Sequence, residues 1–457
     1  MTHTFGLNVR LSLPKAILFG VVMLLSGVAV AQIPADTMPQ AQRKPHIKPY
    51  GFVRNYFNYD SRNTYTVIGG EYNIAPYDNQ WNATQEECET LGIPRTDLNA
   101  LPHAHFLAVS TRLGVDAVGP DIFGAASSAR VEFDFGGFGT NNSLFRIRLA
   151  YMQLDWHNDQ QLHQSLLAGQ DWHPLSGNIM PDVLGMAAGA PFRAHSRTPQ
   201  VRYTLYNGAF GFTAAALYQL QYMYNGPDAN GNSVASTQFA NNAIVPELFL
   251  GVNYRHNGVY AQLGSTCQPL RPRNFGSQSG YEVPVNELFF SFTPTVYFQY
   301  VHELFSLKFR SIYAQNTTHV NQLNGYAVTG MLPNGTWEYS PLRATISYLN
   351  LSYGKKYRIN LFLGYQKNLG AARDLCQMPN GSYQIYMKGG DSFTHLNSMY
   401  RVAPSISYNL KHFNLGLEYE WTACTFGDLA ANGSIKLNSN LHQVDNHRLC
   451  AMVKYNF

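Results

Sequence analysis

Charged residues stand at every second position in several apolar stretches of this 457-residue sequence. The segment "RVEFDF" sets Arg130, Glu132 and Asp134 between apolar neighbours, and "RIRL" does the same with Arg146 and Arg148. Guanidinium groups suit carboxylate and phosphate partners, because their planar fork can donate two parallel hydrogen bonds. No nucleophile motif such as G-x-S-x-G accompanies these residues. The chemistry they predict is therefore electrostatic recognition of ions, and we expect no enzyme.

A period of two is the signature of a β-strand whose faces meet different surroundings. The last ten residues, "RLCAMVKYNF", show it clearly. Alternate positions from Leu449 to Phe457 are apolar or aromatic, whereas Arg448 and Lys454 belong to the other face.

Composition indicates which surroundings these are. Charged residues make up only 13% and aromatic residues 14%, with 30 Tyr and 27 Phe, whereas soluble domains carry about 25% charged residues. Beyond the N-terminal segment, no apolar run is long enough for a transmembrane helix. These features favour a membrane β-barrel, in which alternation dilutes the lipid-facing residues.

The N-terminus has the features of a secretory signal peptide. Arg10 and Lys15 frame a basic start, an apolar stretch follows, and Ala29-Val30-Ala31 fits a cleavage site. We therefore divide the chain into a signal peptide (1–31), a short periplasmic linker (32–45) and a barrel (46–457).

Sixteen strand-like segments follow, at 47–60, 105–116, 127–138, 143–156, 165–173, 199–207, 209–223, 244–256, 259–267, 286–301, 304–316, 344–354, 357–369, 399–410, 413–426 and 447–457. Short gaps such as "NG" and "HNG" alternate with long gaps rich in Gly, Asn, Ser and Pro. The predicted fold is all-β: a single transmembrane antiparallel barrel of about 16 strands, with short periplasmic turns and long extracellular loops.

Charge is costly on the lipid face, so the charged residues of each strand should face the lumen. The predicted pore-lining basic residues are Arg112, Arg130, Arg146, Arg148, Arg202, Lys308 and Arg310. The predicted pore-lining acids are Asp116, Glu132, Asp134, Glu418 and Glu420. A basic excess would favour anions; alternatively, the arginines pair with the acids and brace the wall.

The third long loop, 174–198, is unusually apolar for a segment in bulk water. We expect it to fold into the lumen as a constriction, with Arg193, His195 and Arg197 as candidates and Asp182 opposing them. The alternative is an extracellular loop that packs in an oligomer interface.

Four segments carry a resemblance to a known family: "STRLGVDA" (110–117), "RLAYMQLDW" (148–156), "LLAGQDWHPL" (166–175) and "RTPQVRYTLY" (197–206). In this order they resemble Gram-negative outer-membrane porins, most closely the DcaP-like porins. The resemblance implies an outer-membrane location, a homotrimer, and recognition of the terminal Phe457 by the barrel-assembly machinery. The segment 32–45 lacks the heptads of the coiled coil that such porins can carry.

The predicted function is a water-filled diffusion channel for small hydrophilic solutes that favours small anions such as carboxylates or phosphate. One alternative is a surface receptor or adhesin whose long loops bind a partner. Another is an outer-membrane hydrolase. Expected partners are outer-membrane lipid and lipopolysaccharide, without nucleic acid, cofactor or metal. Cys424 and Cys450 could face each other on the last two strands, or all five cysteines could be reduced and scattered.

Overall fold

The computed structural model describes residues 44–457 except 68–69, 71, 138–143, 158–160, 177–179, 186–188, 229–230 and 438. The predicted signal peptide and nearly all of the predicted linker lie outside the described residues. Those two assignments therefore stay predictions.

Sixteen antiparallel strands form the wall, and the second is interrupted. They are β1 His46–Asp60, β2 His103–Leu107 with Arg112–Ile122, β3 Ala125–Asp134, β4 Arg146–His157, β5 Leu162–Trp172, β6 Arg197–Asn207, β7 Phe210–Leu217, β8 Glu247–His256, β9 Val259–Leu270, β10 Phe289–His302, β11 Phe305–Gln315, β12 Arg343–Gly354, β13 Tyr357–Gly370, β14 Leu396–Asn409, β15 Phe413–Phe426 and β16 His442–Asn456. Each pairs with its neighbours in sequence, and β16 closes on β1 from Phe52↔Asn456 to Asp60↔Arg448. The predicted fold class is confirmed.

The connections alternate in length as predicted. Turns of two to four residues join β2 to β3, β4 to β5 and so on, whereas eight long segments join the strands at the other end. In the β8–β9 turn, Asn257 and Gly258 both have positive φ, 46° and 79°, as a tight hairpin of this hand requires. A Cβ at Gly258 would lie 2.2 Å from the carbonyl oxygen of Val301, so this position accepts only glycine.

The two faces of the strands separate apolar from polar side chains. On β15, Leu415, Leu417 and Tyr419 are exposed on the exterior, whereas Glu418 is buried on the lumen side. The same division holds in β16, where Leu449 and Val453 are exposed and Arg448 is buried.

The predicted orientation of two side chains in β4 is wrong. The pattern predicts that Leu149 and Tyr151 of β4 face lipid together with Ile147. A β-bulge shifts the register there, so that Leu149 lies opposite Glu132 and Tyr151 opposite Arg130. Paired residues of neighbouring strands share a face, and both side chains therefore turn toward the lumen. A bulge adds one residue to one strand, which no two-residue period can anticipate.

The long loops carry small elements of their own. These are the hairpins Thr64–Val67/Tyr72–Pro76, Tyr224–Pro227/Ser233–Ser236 and Phe275–Gln278/Tyr281–Pro284, the three strands Gly325–Met331, Trp337–Pro341 and Ile385–Met387, the helices α1 Gln85–Leu91 and α2 Gln238–Asn241, and the 3₁₀ turns Thr318–Val320 and Gly390–Phe393. Among the described residues, no helix combines the length and apolarity needed to cross a bilayer.

The cysteines are free. Cys424 lies opposite Val444 and Cys450 opposite Glu418, so these two thiols are not partners across the last two strands. The idea that they face each other is wrong, because the register places them at different heights.

Candidate functional site

The segment between β5 and β6, residues 173–196, is called the inward loop below. Its middle part crosses to strands on the far wall: the Lys308 ammonium donates to the Met180 carbonyl at 2.7 Å, and the Leu184 N–H donates to Glu418 Oε2 at 2.8 Å. Lys308 and Glu418 stand on lumen-facing positions of β11 and β15. The described parts of the inward loop therefore lie inside the barrel.

Asp182 anchors this crossing through one oxygen. Its Oδ2 accepts from Lys308 Nζ at 3.0 Å, from Arg358 Nη2 at 2.7 Å and from Ser352 Oγ at 3.1 Å. Its backbone N–H donates to Asn350 Oδ1 at 2.7 Å. Asp182 thus pairs with cations of β11 and β13, and it does not pair with the arginines of the returning half of the loop.

The wall of β2, β3 and β4 carries a compact ion-pair network. Arg146 binds Asp134 through two bonds of 2.8 and 3.0 Å. Arg148 donates to Glu132 at 2.8 Å and to Asp134 at 2.7 Å, and Arg112 lies 3.5 Å from Glu132. Two carboxylates therefore serve three guanidinium groups.

Two further predicted pore-lining arginines are paired nearby. Arg130 binds Asp116 through bonds of 2.5 and 3.0 Å, with both side chains more than a third exposed. Arg202 Nη2 lies 2.6 Å from Asp171 Oδ2. Arg130 and Arg202 therefore pair with carboxylates, as expected if the lumen arginines brace the wall.

The returning half of the inward loop brings more cations to this wall. Arg193, His195 and Arg197 are all buried. The guanidinium carbons of Arg193 and Arg197 lie 4.9 and 5.1 Å from the centre of the Trp172 ring, within the range of cation–π attraction. Arg197 also donates to the Tyr222 hydroxyl. Arg193 of the inward loop and Arg197, the first residue of β6, thus lie beside Arg148 of the wall.

Arg197 and Arg310 are the least compensated of these cations. Arg310 donates to the carbonyl oxygens of Leu175 and Ser176 at the start of the inward loop. Within the described part of the chain, neither Arg197 nor Arg310 forms a salt bridge with a carboxylate. Nε of each, and Nη1 of Arg197, have no hydrogen-bond partner there. A buried charge without a partner of opposite charge is costly.

The two predicted pore-lining acids of β15 are engaged by loops. Glu418 accepts the N–H groups of Leu184 and Gly185 at 2.8 and 3.3 Å. Glu420 accepts from Asn73 Nδ2 at 2.7 Å. Both carboxylates therefore hold chain segments in the lumen.

A cluster that the sequence did not indicate joins His173, Glu247 and His319, all buried. His173 Nε2 and His319 Nε2 lie 3.3 and 3.1 Å from the two oxygens of Glu247. These residue types can bind zinc, but the Leu175 N–H donates to His173 Nδ1 at 3.1 Å, which leaves the proton of a neutral ring on Nε2. The arrangement therefore fits a buried carboxylate between two imidazole rings better than a metal centre. No short-range signal could reveal it, because the three residues are more than 70 positions apart.

Comparison with known proteins shows which solved structures have a similar fold. No protein-family model and no curated protein sequence matches the chain. The outer membrane channel DcaP of Acinetobacter baumannii aligns with a TM-score of 0.58 at 16% identity, over 93% of this chain and 100% of that chain. An anion-selective porin from Comamonas acidovorans aligns with a TM-score of 0.48 at 11% identity, over 91% of this chain and 100% of that chain. The trimer form of OmpT from Vibrio cholerae aligns with a TM-score of 0.47 at 12% identity, over 90% and 99%.

The alignment with DcaP confirms the predicted porin resemblance at the level of the fold. The strand pairing is closed, the exterior is apolar, and the fold is that of an outer-membrane channel. The chain is an outer-membrane β-barrel.

Proposed function

We propose that this barrel is a water-filled diffusion channel for small hydrophilic solutes and that it favours small anions. A barrel of sixteen strands is too wide for its own side chains to fill. Its inward face carries charged and amide side chains, which suit water and polar solutes. The likeness to a protein described as an outer membrane channel supports the same function.

One observation carries the anion preference. Six buried or nearly buried guanidinium groups stand where the inward loop meets the wall, and Glu132 and Asp134 pair with three of them. They are Arg112, Arg146, Arg148, Arg193, Arg197 and Arg310. Fixed charges of one sign between low-dielectric walls focus the field and raise the local concentration of counter-ions.

The arginines paired with carboxylates and those without such a partner contribute unequally to the preference for anions. Arg146 and Arg148 are largely neutralised by their carboxylates, so they fix the wall more than they attract solutes. Arg197 and Arg310 have no such partner among the described residues. The preference for anions therefore depends mainly on these two arginines.

The test is the reversal potential of the refolded protein in a planar bilayer under a potassium chloride gradient. We expect anion selectivity in the wild type and a shift toward cations in Arg197→Met and Arg310→Met. Arg255→Met is a matched control: Arg255 lies over the Tyr206 and Tyr260 rings, two residues before the β8–β9 turn. Cation selectivity in the wild type, or an equal shift in the control, would overturn the assignment.

Assembly is part of the proposal. We infer that the barrel-assembly machinery reads the terminal Phe457, whose ring is more than half exposed while its backbone pairs with Gly51 in both directions at 3.1 and 3.3 Å. We also infer contacts with outer-membrane lipid and lipopolysaccharide through the apolar exterior, and assembly as a homotrimer.

A further inference from the structure

The first external loop, between β1 and β2, sends a hairpin into the lumen. All five residues of its strand Tyr72–Pro76 are buried. The Tyr72 hydroxyl lies 3.2 Å from His195 Nε2 of the inward loop, and Asn73 Nδ2 donates to Glu420 on β15 at 2.7 Å. This hairpin therefore lies beside the inward loop and contacts the same stretch of wall.

A single side chain of β14 binds both loops. Arg401 Nη1 donates to the Ala190 carbonyl of the inward loop at 2.8 Å. Its Nη2 donates to the carbonyls of Asn73 and Ile74 in the first external loop, both at 3.0 Å. Its Nε donates to Thr422 Oγ1 of the wall at 2.8 Å. The three guanidinium nitrogens thus join three separate parts of the chain.

We propose that the hairpin of the first external loop is a second constriction element of the channel, and that Arg401 is the positioning residue that holds it together with the inward loop. This inference rests on the proposed channel function. Two loops bound by one buried guanidinium narrow the lumen jointly, so loss of that guanidinium loosens the inward loop at Ala190 and the hairpin at Asn73 and Ile74.

The role of Arg401 is geometric. Its side chain is only 2% exposed, and each of its nitrogens already donates to an oxygen of the protein. Glu420 Oε1, 3.4 Å from Nε, offsets its charge. Burial shields this guanidinium from a passing anion. Lysine preserves the charge but carries a single compact nitrogen in place of a planar fork, so it cannot come within hydrogen-bond distance of acceptors spread around three nitrogens.

A comparison of lysine and methionine at this position therefore distinguishes a role in positioning the loops from a role of the charge. Arg401→Lys and Arg401→Met are compared with the wild type by single-channel recording in potassium chloride. We expect both variants to raise the conductance and the current fluctuations, and we expect the reversal potential to stay unchanged in Arg401→Lys, which keeps the charge. The matched pair Arg255→Lys and Arg255→Met changes another lumen arginine that stacks on rings and binds neither loop. It should leave the conductance at the wild-type level.

A raised conductance in Arg401→Met alone, with Arg401→Lys at the wild-type level, would overturn the inference, because it would assign Arg401 a role through charge. Wild-type conductance in both variants would overturn it as well. A wild-type protein that forms no channels would instead refute the proposed function.

A second variant keeps the inference testable if Arg401 variants fail to fold. Deletion of residues 64–76, joined by a short Gly-Ser linker, removes the hairpin and leaves all sixteen strands intact. We expect a higher conductance than that of the wild type, with folding checked by circular dichroism in detergent. An unchanged conductance in this folded variant would exclude the hairpin as a constriction.

Discussion

Replacing Asp182 by asparagine tests how the inward loop shapes the field in the lumen. The carboxylate accepts from Lys308 Nζ, Arg358 Nη2 and Ser352 Oγ at 2.7 to 3.1 Å. Asparagine keeps the shape and one acceptor oxygen, but it removes the negative charge that compensates these two cations. Asp182→Asn should therefore strengthen the preference for anions, whereas Arg197→Met and Arg310→Met should weaken it.

Asp182→Asn has two effects whose size can be worked out: a weaker attachment of the loop and a changed attraction for a passing ion. Hydrogen bonds to charged groups contribute about 1.5–3 kcal/mol each when buried, but Asp182 is 23% exposed and Arg358 32%. Solvent screening therefore leaves a loss of about 1–2 kcal/mol in the attachment of the loop. The uncovered unit charge acts on an ion passing at about 4 Å with about 1 kcal/mol in a water-like dielectric, roughly a fivefold change in relative permeability.

The assay is the reversal potential in a salt gradient at low ionic strength, where screening is weak because the Debye length is about 10 Å at 0.1 M. Asp182→Asn should shift it further toward anion selectivity, and the shift should shrink at high salt. Ser352→Ala, which removes one donor to the same oxygen without changing charge, should leave it unchanged. A shift toward cations, or none at low salt, would refute the reasoning.

Three further predictions follow from other parts of the molecule. The double substitution Arg146→Ala with Arg148→Ala should shift the reversal potential toward cations and lower thermal stability markedly, because breaking a buried ion pair costs about 3–5 kcal/mol; wild-type selectivity and melting would contradict this. The pKa of Asp97 in the first external loop, which burial raises, is lowered overall by backbone N–H donors and by the Arg62 guanidinium 2.7 Å away. Since a depressed pKa stabilises the fold above the ordinary value and this contribution is lost as the pH falls through the folded value, the protection of this loop against hydrogen exchange, corrected for the intrinsic exchange rate at each pH, should fall below pH of about 4, and Asp97→Asn should remove that dependence. Phe457→Ala should reduce the amount of assembled barrel in the outer membrane, measured by heat-modifiable migration, and an undiminished yield would exclude recognition of this residue.

The strand pattern could be predicted because it depends on local chemistry. A lipid-facing side and a lumen-facing side impose a period of two on every strand, and tight turns require residues such as Asn257 and Gly258. These constraints repeat around the barrel, so errors at single boundaries do not change the count of sixteen.

The contents of the lumen could be predicted only in part. The apolar character of the inward loop indicated that it avoids water, but nothing in the sequence indicated that Asp182 would meet Lys308 and Arg358. The sequence around Arg401 alternates like that around the other lumen arginines. Its partners in two loops are determined by tertiary folding alone. The bulge in β4, which turns Leu149 and Tyr151 toward the lumen, could not be predicted either, because its register depends on the neighbouring strand.

The most direct test of the whole account is the sign of the reversal potential of the wild-type protein in a planar bilayer under a tenfold gradient of potassium chloride. Discrete channels that prefer chloride over potassium are the predicted result. Channels that prefer potassium would contradict the account at its centre.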